Sequence, residues 1–165
     1  MQNWRPKVLK LMAYAMAGVF ILATLGPQEA WAVKVLGKTE QNSIIISSSE
    51  PIAVIRKKIR LQRRGPVAII YTAECSVAAA DTATWLNIDI LINDVPLPPI
   101  GNNVAFCTST GTNTLDSWVS AATQGRVILD PGTHTIKVVG KLVDYETGDQ
   151  WRIDDQHLTL IVQKK

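Results

Sequence analysis

Residues 148–162 read GDQWRIDDQHLTLIV, and the spacing of their apolar side chains decides the fold. Trp151 and Ile153 stand at odd positions, whereas Leu158, Leu160 and Val162 stand at even ones. Successive side chains of a strand point to opposite faces, so one face cannot hold both sets unless the strand slips by one residue. A β-bulge at Asp154-Asp155-Gln156 supplies that slip, because the extra residue is left out of the ladder and re-aims the side chains beyond it. The segment therefore reads as one long strand, both halves turned to the same core. The two aspartates then either converge on something or face water.

The same period runs through the chain outward from this strand. VAIIYTAECSV (67–77) places Val67, Ile69, Tyr71, Ala73, Cys75 and Val77 on one face. TWLNIDILIND (84–94) sets Leu86, Ile88, Ile90 and Ile92 opposite Trp85, Asn87 and Asp89. THTIKVVGKLV (133–143) sets Ile136, Val138 and Leu142 opposite Thr135, Lys137 and Lys141. No segment after residue 32 carries a sustained helical period, and only AAADTA (78–83) reads as a helical turn. Turn chemistry separates the runs: NDVPLPPIGNN with its three prolines, then STGTN, TQGR, DPGT and ETGD. With SIIISS (43–48) and PIAVIRKKIRLQ (51–62) this makes about eight or nine strands. One apolar and one polar face per strand predicts an all-β, antiparallel β-sandwich, jelly-roll or Ig-like.

WRIDDQHLTLIV (151–162) resembles the closing strand of galactose-binding-like jelly rolls, which include many carbohydrate-binding modules. LDPGTHTIKVVG (129–140) is similar to a strand common to exported bacterial sandwich domains, Ig-like ones among them. The resemblance implies a sandwich fold and, from its first part, carbohydrate binding.

The opening segment reads differently. Arg5, Lys7 and Lys10 precede an apolar run from Leu11 to Leu25, Gly26-Pro27 ends it, and Ala30-Trp31-Ala32 offers small residues at a cleavage site. That order predicts a signal peptide at 1–32, export to the periplasm or beyond the cell, and no membrane span once it is removed. Residues 33–165 then form a single domain. Loss of the leader takes the net charge from +3 to +1 and removes the case for nucleic acid as a partner. Residues 33–66, expected to form basic N-terminal strands, carry eight Lys or Arg against two Glu; residues 67–165 carry six against eleven acids. Cys75 and Cys107 read as one disulfide in an oxidising compartment.

Three constellations could carry chemistry. Trp85, Asn87 and Asp89 share a polar strand face, and an indole, an amide and a carboxylate are what a sugar's C–H face and hydroxyls require. Trp118 or Tyr145 is expected to complete that cleft. Asp144, Glu146, Asp149, Asp154 and Asp155 crowd the last hairpin with hard oxygen ligands, which makes calcium at Asp154 and Asp155 the one cofactor to consider. Arg56, Lys57, Lys58, Arg60, Arg63 and Arg64 form a basic stretch suited to an anionic surface polymer. His134 and His157 lie at no zinc-ligand spacing, no serine sits in a G-x-S-x-G turn, and no nucleophile is marked beside a base, so no enzyme is expected. The expected function is an exported, non-catalytic binding module, with carbohydrate as its candidate ligand. The alternative is a structural or self-assembling surface or periplasmic protein docking through charged edges.

Overall fold

The computed structural model describes residues 32–97 and 105–164; the signal peptide expected at 1–32 lies, but for Ala32, outside the described residues. Ten strands succeed one another: β1 (Ala32–Glu40), β2 (Ile44–Ile46), β3 (Ile52–Leu61), β4 (Gly65–Ala78), β5 (Trp85–Ile92), β6 (Val95–Pro96), β7 (Ala105–Thr108), β8 (Val119–Leu129), β9 (Gly132–Val143) and β10 (Gln150–Lys164). They form two antiparallel sheets. Sheet A runs β1-β10-β4-β8, with β2 pairing the first part of β10. Sheet B runs β3-β9-β5-β6, with β7 pairing β5 near its start. The all-β sandwich read from the alternating pattern is the fold observed.

The core lies between the inward faces. Val67, Ile69, Tyr71, Ala73, Cys75 and Val77 of β4 meet Leu86, Ile88, Ile90 and Ile92 of β5, all buried. Each Leu, Ile or Val so buried contributes roughly 1.5–3 kcal/mol of transfer free energy. The Tyr71 and Phe106 rings approach across the layers at 5.7 Å between centroids. Gly140 of β9 leaves room for the fully buried Trp151: a Cβ there would sit 3.0 Å from the indole. Lys57 of β3 donates from Nζ to the Gly37 carbonyl of β1 at 2.8 Å, joining the sheets along one open side.

The bulge lies where parity placed it. The ladder between β10 and β4 shifts register between Asp154 and His157, and Asp155 takes a φ of 43°. Trp151, Ile153, Leu158, Leu160 and Val162 are all buried. The slip also turns Gln156 into the core, 0% exposed, where its Oε1 accepts from Tyr71 Oη at 3.0 Å. That burial was not anticipated from the sequence.

Two expectations are corrected. TQGR is no turn: Gly125 lies within β8, paired with Ile69, and has no side chain because Leu97 packs over it from sheet B. AAADTA forms bends rather than a helical turn, since Asp81 Oδ1 accepts from the backbone N–H groups of Ala83 and Thr84 at 2.9 and 3.0 Å. This Asx-type turn competes with helix and feeds the chain into β5.

Candidate functional site

The outer face of sheet B brings together two of the groups singled out by the sequence, Trp85, Asn87 and Asp89 of β5 and Arg56, Lys58 and Arg60 of β3. The core takes the even positions of β5, and Trp85, Asn87, Asp89 and Leu91 belong to the opposite face. Trp85, Asp89 and Leu91 are half-buried there, but Asn87, which the sequence placed in an exposed row, is buried at 5% exposure. Asn87 Nδ2 donates to Asp89 Oδ2 at 3.0 Å, so amide and carboxylate lie side by side. Trp85 is half-buried at the end of this row, opposite Val143 of β9 and Thr108 of β7, and its Nε1 has no hydrogen-bond partner.

Register extends the row across three strands. Lys141 stands opposite Asn87, and Val139 opposite Asp89; Lys137 has Leu91 on one side and Arg56 on the other. Lys58 pairs with Thr135 and Arg60 with Thr133. Cations two residues apart on β3 are spaced about 6.7 Å, with the next strand about 4.8 Å away. Five cations (Arg56, Lys58, Arg60, Lys137 and Lys141) therefore share one flat surface with two carboxylates, Asp89 and Asp94. Lys137 pairs with Asp94, which the β5–β6 hairpin presents from a turn whose Asn93 and Asp94 both have positive φ.

The structure divides the predicted basic stretch. Arg56, Lys58 and Arg60 face outward; Lys57 turns toward β1; Arg63 and Arg64 lie in the exposed bend after β3, where Arg64 pairs with Asp130 at 3.3 Å. Strand alternation alone separates Lys57 from Arg56, Lys58 and Arg60; the bulge of β3, between Ala53 and Ile55, lies before them. Lys137 and Lys141 join this surface from β9; their strand parity was visible in sequence, but their adjacency to β3 was not.

Trp118 and Tyr145 take no part in the row. Trp118 is 40% exposed, but the Arg152 guanidinium lies 4.4 Å from its ring centroid, which places it with sheet A. Tyr145 packs against the core. Arg152 also donates from Nε to Ser43 Oγ at 2.6 Å and from Nη2 to Asp154 Oδ2 at 3.4 Å. Asp155 is exposed, and Asp149 is buried in its own turn, where its Oδ2 accepts from the Glu146 N–H at 2.8 Å. Among the described residues no three His, Cys, Asp or Glu side chains gather as metal ligands. His134 is held by Asn93 and the Asp130 carbonyl, and His157 by the Thr39 hydroxyl.

A cleft of about 590 Å³ opens beside this face, between the outer edge of β8 and the middle of β5. Ile88, Ile90, Leu97 and Phe106 supply its apolar wall, and Ser120 to Gln124 run along its other side. Asp89 stands at its border with the sheet face. The disulfide Cys75–Cys107 ties β4 to β7, with 6.2 Å between Cα atoms, and fixes the position of the Phe106 wall.

No protein-family model and no curated protein matches this chain. Among solved structures, dimeric latent PorU from Porphyromonas gingivalis is similar over 85% of this chain, with TM-score 0.53 and 9% identity; the chain spans 14% of that protein. The C-terminal domain of EclA, a sugar-binding protein, matches with TM-score 0.41 and 11% identity over 81% of this chain and 86% of its own. A family 35 carbohydrate binding module from Clostridium thermocellum matches with TM-score 0.35 and 17% identity, over 76% of this chain and 97% of its own. At 9% identity the likeness to PorU is one of fold.

Proposed function

We propose that this domain is a non-catalytic binding module that holds negatively charged carbohydrate chains on the outer face of sheet B. The observation that carries this reading is the register that sets Lys141 opposite Asn87, and Arg56 opposite Lys137, on one outward surface with Trp85 and Asp89. Cations two strands deep match a chain of carboxylate or sulfate groups, while Asp89, half-buried and held by the buried Asn87 amide, is of the kind that takes sugar hydroxyls. A flat sheet face suits an extended polymer better than a small molecule. The Cys75–Cys107 disulfide fits a protein that works in an oxidising space outside the cytoplasm.

The test is retention on immobilised neutral and acidic glycans at rising salt. Acidic glycans should be retained and released as ionic strength rises, because screening shortens the reach of exposed charges. Trp85→Ala should weaken retention, and Lys141→Glu should abolish it. Equal retention of neutral and acidic chains would remove the role given to charge. No binding to any glycan would remove the reading altogether.

A further inference from the structure

Sheet A carries an outward constellation of its own. Trp118 stands one residue before β8, whose Val119 pairs with Cys75, so the same register brings Trp118 opposite Ser76 of β4. On its other side Ser76 pairs with Arg152 of β10, and Arg152 pairs with Ile45 of β2. Trp118 and Arg152 are therefore rooted two strands apart, roughly 9–10 Å between backbones. Their side chains nevertheless meet, with the guanidinium 4.4 Å from the ring centroid. The contact spans Ser76, which points outward by strand parity yet is 1% exposed, whereas Glu74 on the same face of β4 is exposed.

This arch is held from the arginine side. Arg152 donates from Nε to Ser43 Oγ at 2.6 Å and from Nη2 to Asp154 Oδ2 at 3.4 Å, while the Ser76 hydroxyl beneath has no partner. Fixing the guanidinium fixes the indole stacked on it, and a ring ordered in advance loses little freedom on binding. Trp118 is 40% exposed. Against the 150–250 Å² of an aromatic side chain that is roughly 60–100 Å², and with one face given to Arg152 it belongs to the other face and the rim. The next row along the sheet is Asp154, Glu74 and Ser120, two carboxylates and a hydroxyl. Both stretches outside the described residues join the domain elsewhere. Ala32 pairs with Lys164, roughly 40 Å along β10 from Arg152. Leu97 and Ala105 are each bonded to β5.

We infer that Trp118, with Asp154 and Glu74 beside it, is a contact site for a ring or two of a neutral sugar chain, separate from the cationic face of sheet B. The charges around the indole select against both signs. Asp154 and Glu74 repel an anion, and Arg152 already supplies the cation that the ring attracts. What remains favourable is an uncharged ligand with a C–H face for the indole and hydroxyls that donate to the carboxylates. A cover for Ser76 accounts for the stacked pair alone. It does not account for the ring surface left in water, nor for two carboxylates set directly opposite each other beside it, which costs stability. So small a contact binds weakly, on the order of millimolar, and is read by titration rather than by retention on a column.

Indole N–H resonances test this on the full chain with its native disulfide. The Trp118 signal is assigned by its loss in Trp118→Phe. Titration with cello-, manno- and galacto-oligosaccharides should shift it with at least one of the three, while the signal of Trp151, 0% exposed, stays in place. Oligogalacturonate, an acidic chain, should leave the Trp118 signal unmoved. Glu74→Gln removes one of two facing like charges at an exposed position, so the melting temperature should hold or rise. The same change should weaken neutral binding at least about threefold through the lost charge-assisted bond, a loss that a merely structural role would not produce. A Trp118 signal unmoved by all three neutral chains, an equal shift with the acidic one, a shift of Trp85 in its place, or full affinity in Glu74→Gln would each overturn the inference. Retention of acidic chains by sheet B is a separate readout, so either site can fail without the other.

Discussion

Tyr71 and Gln156 join across two neighbouring strands of sheet A: the phenol Oη donates to the amide Oε1 at 3.0 Å, both residues fully buried, where β10 carries its extra residue. The bond supports the bulge from inside. Gln156 Nε2 has no partner, so Oε1 is the one polar atom of that amide compensated in the core. Burial also raises the Tyr71 phenol far above its ordinary range, which keeps it a donor at any physiological pH. Tyr71→Phe strands the Oε1 and should destabilise the fold by about 1–3 kcal/mol in urea unfolding. Removing both polar groups with Tyr71→Phe and Gln156→Met should cost less than the sum of the single changes.

Gly140 predicts an intolerance of small additions. A methyl there meets Trp151 at 3.0 Å, Ile88 at 3.3 Å and Leu86 at 3.4 Å, all packed side chains with nowhere to retreat. Gly140→Ala should cost about 1–3 kcal/mol by overpacking. Gly37→Ala, with nothing within 4 Å of its added methyl, is the control and should be near neutral.

Reduction of Cys75–Cys107 releases a loop of 32 residues between β4 and β7. The chain-entropy model puts the loss at roughly 3–4 kcal/mol. Thermal melting with and without dithiothreitol should show a drop on the order of 10 °C. A smaller drop would mean that the unfolded chain is already constrained near these positions.

The Asp81 turn sets a pH dependence. Backbone N–H groups of Thr84, then of Ala83, hold its carboxyl below the ordinary aspartate value. A group depressed in this way contributes stability above its unfolded value and loses it as pH falls through the folded one. Wild type should therefore lose stability to acid more steeply than Asp81→Asn, whose side-chain oxygen still accepts but does not titrate. Melting curves taken from neutral pH down through the carboxylate range decide this; parallel slopes would count against it.

Arg56 and Lys137 stand directly opposite each other on β3 and β9. Like charges so placed cost stability, about 0.2–1 kcal/mol. Arg56→Glu should therefore raise the melting temperature slightly while lowering retention on acidic glycans. Gain in stability with loss of binding is the signature of a functional surface; gain without loss would assign the pair no part in recognition.

The legible part of this structure is the part set by local contacts. The bulge was readable because Trp151-Ile153 and Leu158-Leu160 fall out of phase within one strand. The inward faces of β4, β5 and β9 were readable because one face of each meets water. What could not be read is which strands adjoin. Arg56 and Lys137 are neighbours only because β3 and β9 pair across a long sequence separation, and nothing at either position announces the other. Lys57 parts from Arg56 and Lys58 by strand alternation alone, which the sequence shows; its bond to the Gly37 carbonyl of β1 could not be read there. Gln156 was missed because a glutamine between an aspartate and a histidine reads as solvent-facing. Its signal was available in principle: a slip that keeps both apolar sets inward has to carry one of the intervening residues in with them.

The central place of β10 has a kinetic corollary. Its ladders reach β1 and β2 on one side and β4 on the other, all far away along the chain. A chain lacking it would leave β1 and β2 without a neighbour among the described residues, and sheet A reduced there to the β4–β8 pair. Loops of that size must close before their contacts repay the cost, so folding should be slow for the size of the domain and arrive in a single late step. Until then the nascent polypeptide offers its sticky segments to whatever is nearby, which makes the interval before closure the time of greatest exposure to aggregation and protease.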